Sequence, residues 1–237
     1  VAAGGFVQRF FLSLAVAFCP ALAMAGEVQP DAPSSLDWSG LYVGAHGGWS
    51  QIKNNPFSPA QLTAPAYDVD EIRGNSIVGG LRGGIDKRFG PFVLGLGVDM
   101  SFFGTKGDSI VKVDEILSVK PRVVGDISGR LGYLFQDNLL GYVKGGLAVG
   151  QFSYGSVDER WNLVDEQRDE VHFGSNVGAG FEFRLGPKWS VFAEYDYMTF
   201  KSKTVTFDYG PGVYPASWTY QFDHKLSLVT AGINLRF

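Results

Sequence analysis

Twelve charged residues recur at alternate positions within otherwise apolar runs, and they are the side chains of this chain best placed to do chemistry. Arg82, Arg88, Arg130, Lys144, Arg184 and Arg236 supply six positive charges, and Asp86, Asp99, Asp126, Glu182, Glu194 and Asp196 supply six negative ones. Buried charges must be paired or hydrogen-bonded, and equal numbers suit mutual pairing. Gathered inside a narrow barrel, the twelve would fill it as a plug. Threaded by water, the same network would line a narrow path for small solutes.

Enzymatic chemistry has weaker support. Glu182 and Glu194 fall on adjacent predicted strands, where a carboxylate pair could act as acid and base, but nothing else in the chain supplies a substrate cleft. The histidines are His46, His172 and His224. They form no HExxH or other close ligand spacing, so scattered hydrogen-bonding histidines explain them better than a metal or haem site. Ser175 lies near His172, yet no G-x-S-x-G or other nucleophile motif surrounds it. No residue is assigned as catalytic, cofactor-binding or metal-ligating, and no cofactor is expected.

The elements that must position these charges are strands. The chain has 237 residues with 32 glycines, 19 Phe, 10 Tyr, 5 Trp and one cysteine, and a formal net charge of -4. Glycine stands at nearly twice its usual share. A single cysteine excludes an internal disulfide framework and paired-cysteine zinc clusters. The mildly acidic balance argues against nucleic acid as a partner. Arg9 followed by the apolar run 10–18 and by Ala23-Met24-Ala25 predicts a signal peptide over residues 1–25. A short flexible segment over 26–37 and one barrel domain over 38–237 then follow. Beyond the signal, no stretch approaches the ~20 apolar residues of a membrane helix.

Period-two alternation recurs instead, the mark of strands with two unlike faces. In the first run Leu41, Val43, Ala45 and Trp49 alternate with Tyr42, Gly44, His46 and Gly48; in the third, Leu94, Leu96, Val98 and Met100 alternate with Gly95, Gly97 and Asp99. Eight such runs are counted, the last carrying Val229, Ala231, Ile233, Leu235 and Phe237 against Thr230, Gly232, Asn234 and Arg236. Tight turns at Gly90-Pro91, Asp137-Asn138 and Gly186-Pro187 alternate with four long polar stretches, roughly 50–74, 104–117, 153–170 and 201–223. The expectation is an all-β fold: an eight-stranded antiparallel up-and-down transmembrane β-barrel, with short turns on the periplasmic side.

Alternation alone does not say which face is inside, because a soluble barrel carries the same pattern turned inside out. Aromatic residues at strand ends favour the membrane version, as an interfacial girdle would place Trp38, Trp49, Phe89, Phe92, Tyr133, Phe135, Trp189, Phe200 and Phe237 there. Backbone in lipid must also find every hydrogen bond within the protein, which closed barrels achieve.

The segment Trp38-Ser-Gly-Leu-Tyr-Val-Gly-Ala-His-Gly-Gly-Trp49 resembles the first strand of small outer-membrane β-barrel proteins of Gram-negative bacteria. Arg130-Leu-Gly-Tyr133, residues 142–148, Gly180-Phe-Glu-Phe183, residues 189–195 and the closing Gly232-Ile-Asn-Leu-Arg-Phe237 extend the match across nearly all of 38–237. The group most similar is the porin-family barrel of alphaproteobacterial surface antigens, related in architecture to the transmembrane domain of outer membrane protein A. The resemblance implies outer-membrane residence after export through the periplasm, contact with outer-membrane lipid, and insertion by the barrel-assembly machinery through a C-terminal aromatic signal at Phe237. It further implies a structural or surface-interaction role, with an external ligand or host surface met through four loops. A narrow porin-like channel is the alternative, and a haem receptor or outer-membrane lipid enzyme the weakest expectation.

Overall fold

A computed structural model describes residues 36–58, 67–68, 72–104, 109–113, 115–158, 163–208 and 217–237. The predicted signal peptide and most of the lead-in segment lie outside the described residues. Eight long strands form the barrel: β1 (Gly40–Ser58), β3 (Ile72–Phe89), β4 (Phe92–Phe103), β6 (Glu115–Gln136), β7 (Leu139–Asp158), β8 (Leu163–Arg184), β9 (Trp189–Asp208) and β10 (Ser217–Arg236). Two short strands, β2 (Tyr67–Asp68) and β5 (Ser109–Val113), pair onto β1 and β6. Every barrel pairing is antiparallel between chain neighbours, and β10 closes on β1 from Tyr42↔Arg236 to Phe57↔Gln221.

The periplasmic joins are as short as their residues predict. Phe89 pairs with Phe92 across Gly90-Pro91, and Gly90 takes φ 60, which a side chain would resist. Gln136 pairs with Leu139 across Asp137-Asn138. At the other end the strands are longer than expected. β7 reaches Asp158, β8 starts at Leu163, β9 runs to Asp208 and β10 begins at Ser217, so hairpins occupy much of the ranges read as loops. The reason is physical: polarity stops alternating in these stretches of sequence while residue types such as those of Thr204, Val205, Thr206 and Phe207 still favour extended backbone.

The solvent inversion is plain in the side chains. Ile77, Leu81, Leu96, Ile127, Leu147, Val177, Phe181 and Val229 are each more than half exposed on the outer surface. Arg82, Asp86, Asp99, Asp126, Arg130, Lys144, Glu182, Glu194, Asp196 and Arg236 are buried inside. An outer wall of this kind is stable only against hydrocarbon. Phe89, Phe92, Tyr133, Phe135, Trp189 and Phe237 face outward at the strand ends, whereas Trp49 faces outward midway along β1. Two expected girdle residues do not. Trp38 is fully buried beneath the charges, its indole N–H donating to the Asp137 carbonyl at 2.9 Å, and Phe200 packs inside the outer half of the barrel.

Candidate functional site

The lumen is stacked in four layers. At the periplasmic end Trp38, Val93, Leu134 and Leu140 form an apolar floor. Above it lies a closed ring of alternating charge. Arg130 clasps Asp86 through Nε (2.7 Å) and Nη2, and reaches Glu182 at 3.1 Å. Arg236 completes the ring, 2.8 Å from Asp86 and 2.8 Å from Glu182. Ser190 and Asn234 also donate to Glu182. Guanidinium faces lie over aromatic rings: Arg130 over Tyr42 at 4.7 Å, and Arg236 over Trp38 at 4.8 Å.

The third layer centres on Lys144, whose ammonium lies 2.8 Å from Glu194, 3.0 Å from Asp196, 3.3 Å from Asp99 and 3.8 Å from Asp126. Arg82 bridges Asp99 and Glu194, each at 3.2 Å, and stacks on Phe192 at 4.1 Å. Tyr142 donates to Glu194 at 2.6 Å. The lower ring sets two arginines against two carboxylates. This layer sets two cations, Arg82 and Lys144, against four carboxylates. Asp126 Oδ1 and Asn176 Oδ1 are buried there without a hydrogen bond.

The fourth layer, toward the outside, is again apolar. Ile52, Val78, Val124, Phe152, Met198, Phe200, Leu226 and Leu228 point inward and are buried. His224 stacks on Phe152 (4.7 Å, 11°), while His172 meets both edge-on at 5.3 and 4.8 Å. The charged layers thus lie between an apolar floor and an apolar lid, buried where each ionic contact is stronger than at a surface.

Glycines make room for this filling. A Cβ on Gly84 would sit 2.5 Å from the Tyr42 hydroxyl, and one on Gly178 2.5 Å from an Asp196 oxygen.

The twelve charges singled out from sequence do not all converge. Ten belong to the two sealed layers. Arg88 is half-buried at the periplasmic rim, bonded to the Gly90 and Leu36 carbonyls and 3.4 Å from Asp137. Arg184 also turns to the rim, donating to the carbonyls of Gly186, Asp37 and Pro187. Glu182 and Glu194 serve different layers, each held by cations and hydroxyls. Ser175 faces outward, 3.1 Å from the Thr199 hydroxyl, whereas His172 faces inward, so the two are not a nucleophile–base pair. The histidines are not scattered: His172 and His224 meet in the lid, and His46 lies 3.0 Å from the Ser101 hydroxyl. Sequence reading missed the lid; Phe152, Met198 and Leu226, which continue the inward alternating positions of β7, β9 and β10, are the signal that could have found it.

A family model described as outer membrane protein beta-barrel domain matches residues 11–234. The chain is 28% identical over 201 residues to the 31 kDa outer-membrane immunogenic protein of Brucella melitensis, covering 74% of this chain and 80% of that one. The protein of the same name from Brucella suis matches equally. Among solved structures, the outer membrane protein OprG from Pseudomonas aeruginosa superposes with a TM-score of 0.53 at 11% identity, over 86% of this chain and 98% of its own. The outer membrane protease OmpT from Escherichia coli superposes with a TM-score of 0.50 at 9% identity, over 89% and 99%. At these identities the structural likenesses carry the fold alone.

Proposed function

The chain belongs to the outer membrane protein beta-barrel domain family and resides in the outer membrane, and from that premise we propose that it is a non-conducting, non-enzymatic barrel that strengthens the envelope and presents its outer hairpins for surface recognition. The observation that carries this reading is the layered lumen. Two ionic layers between two apolar ones support a lumen closed to a file of water. An eight-stranded barrel is just wide enough for its own side chains, and here they fill it. The carboxylates that could act as acid or base are saturated inside this seal. The relative named an immunogenic outer-membrane protein supports an exposed outer surface.

Purified protein in planar bilayers is expected to give no steady conductance. A stable open level would overturn the sealed-lumen reading, and one that shifts on replacing Lys144 or Glu194 would favour a solute path instead. For the surface role, cells carrying shortened outer hairpins, each trimmed in turn between its barrel strands, are expected to lose binding to candidate host surfaces for at least one hairpin. Undiminished binding by all four variants, with normal insertion, would sink it. Contact with the barrel-assembly machinery through Phe237 belongs to the same reading. Its side chain is half exposed beside the seam, and its N–H donates to the Leu41 carbonyl at 2.9 Å.

A further inference from the structure

The acidic layer of the lumen lacks positive charge and hydrogen-bond donors in the same place. Arg82 and Lys144 face Asp99, Asp126, Glu194 and Asp196, all of them buried, so two cations stand against four carboxylates. Buried charge is costly unless it is compensated. The shortage falls on Asp126. It stands directly opposite Asp99 on the β4–β6 pair, and like charges so placed repel. Among the described residues its one cation within 4 Å is Lys144, and that contact, at 3.8 Å, is the longest of the four the ammonium makes. Asp126 Oδ1 accepts no hydrogen bond.

A second oxygen, on a neutral side chain, is orphaned in the same layer. Asn176 is 1% exposed, and its Nδ2 donates to Asp196 at 3.2 Å. That bond sets the orientation of the amide, since a swapped carbonyl would meet the carboxylate. Asn176 Oδ1 is left without a donor. The inward positions of β7 at this level are Gly146, in register with Asn176, and Ala148, in register with Asp126, so no bulky side chain of β7 stands between them. Two other groups lack hydrogen bonds but not compensation. Arg82 Nε and Nη1 belong to a guanidinium that lies 3.2 Å from Asp99 and over the Phe192 ring. Asn234 Oδ1 adjoins the lower ring, where cations and carboxylates are equal in number. Orphaned oxygens and excess negative charge coincide only in the acidic layer.

Buried oxygens without donors are usually met by an ion or a water. A water would satisfy the two oxygens and leave the charge; a cation answers both. Divalent ions require several converging oxygen ligands, carboxylates foremost, and among the described residues no three acidic or histidine side chains meet in that way. We propose that the acidic layer holds a monovalent metal cation such as sodium, with Asp126 Oδ1 and Asn176 Oδ1 as its protein ligands. The site is independent of the envelope role proposed above.

Full-length protein is folded into phosphatidylcholine vesicles with a chelator present, and urea unfolding is followed as sodium replaces N-methylglucamine at constant ionic strength. A cation bound only by the folded chain raises the folded-to-unfolded ratio by about tenfold for each tenfold rise in sodium beyond its dissociation constant. Wild type is expected to show this rise, and so is D137N, altered at the periplasmic rim. D126N and N176A are each expected to lose it, whatever their stability in N-methylglucamine. N176A keeps every charge, so a rise kept there and lost only in D126N would mean diffuse attraction and overturn the site. A rise kept in both variants, or none in the wild type, would overturn it as well. If either variant fails to fold, thallium(I) soaked into wild-type crystals decides: an anomalous peak touching both oxygens is expected, and its absence overturns the site. Bilayer conductance judges the closed lumen separately, so the two readings fail independently.

Discussion

Lys144→Met is expected to destabilise the barrel by about 3–5 kcal/mol, the range for removing one partner from a buried ionic cluster. The substitution keeps the length and most of the volume of the side chain, so packing changes little. What it removes is the ammonium within 4 Å of four carboxylates. Arg82 would then be the one cation of this layer set against Asp99, Asp126, Glu194 and Asp196, all of them buried. Reversible urea unfolding in lipid vesicles measures the loss. Asp126→Asn, which lowers the excess of negative charge, is expected to be far milder in the same assay. Equal losses for the two would show that charge excess in this layer is not what matters.

Leu96→Arg is expected to cost about 2–4 kcal/mol of insertion free energy, the range for a cation at the membrane midplane. Leu96 stands opposite Ile85 and Gly129 midway along its strands, and its side chain is 63% exposed on the outer wall. In water such a change would be harmless or even helpful; only hydrocarbon makes it costly. Gly104→Arg, beyond the apolar band, is expected to change stability by about 0–1 kcal/mol. Folding yield and heat-modifiable gel migration compare the two, and a mild Leu96→Arg would contradict the lipid-facing wall.

These expectations separate what sequence could convey from what it could not. The barrel strands and the ten sealed charges were legible because two solvents of opposite character impose a period of two on every membrane-crossing strand. Level along the strand leaves no such mark. Trp38 and Phe200 look like girdle residues by position, yet the first is a plug at the floor and the second part of the lid. Arg88 and Arg184 alternate correctly but sit at the rim, where turn carbonyls take the place of carboxylates. The lid itself escaped notice because inward residues there are as apolar as outward ones, which erases the contrast that alternation depends on. His172 and His224 are far apart in the chain, and only the register of β8, β9 and β10 brings them together. The six-to-six tally of charges was also silent on distribution, since an even sum concealed one even ring and one acidic layer.

The seam between β1 and β10 carries a consequence for biogenesis. Its partners are among the most distant in the chain; Arg236 contacts the Trp38 carbonyl across 198 positions. Until the final strand arrives, the nascent sheet keeps two bare margins of unpaired amides, which is the arrangement that invites wrongful pairing with other chains. Zippering shut therefore faces a high entropic threshold, because it joins margins that lie far apart along the chain.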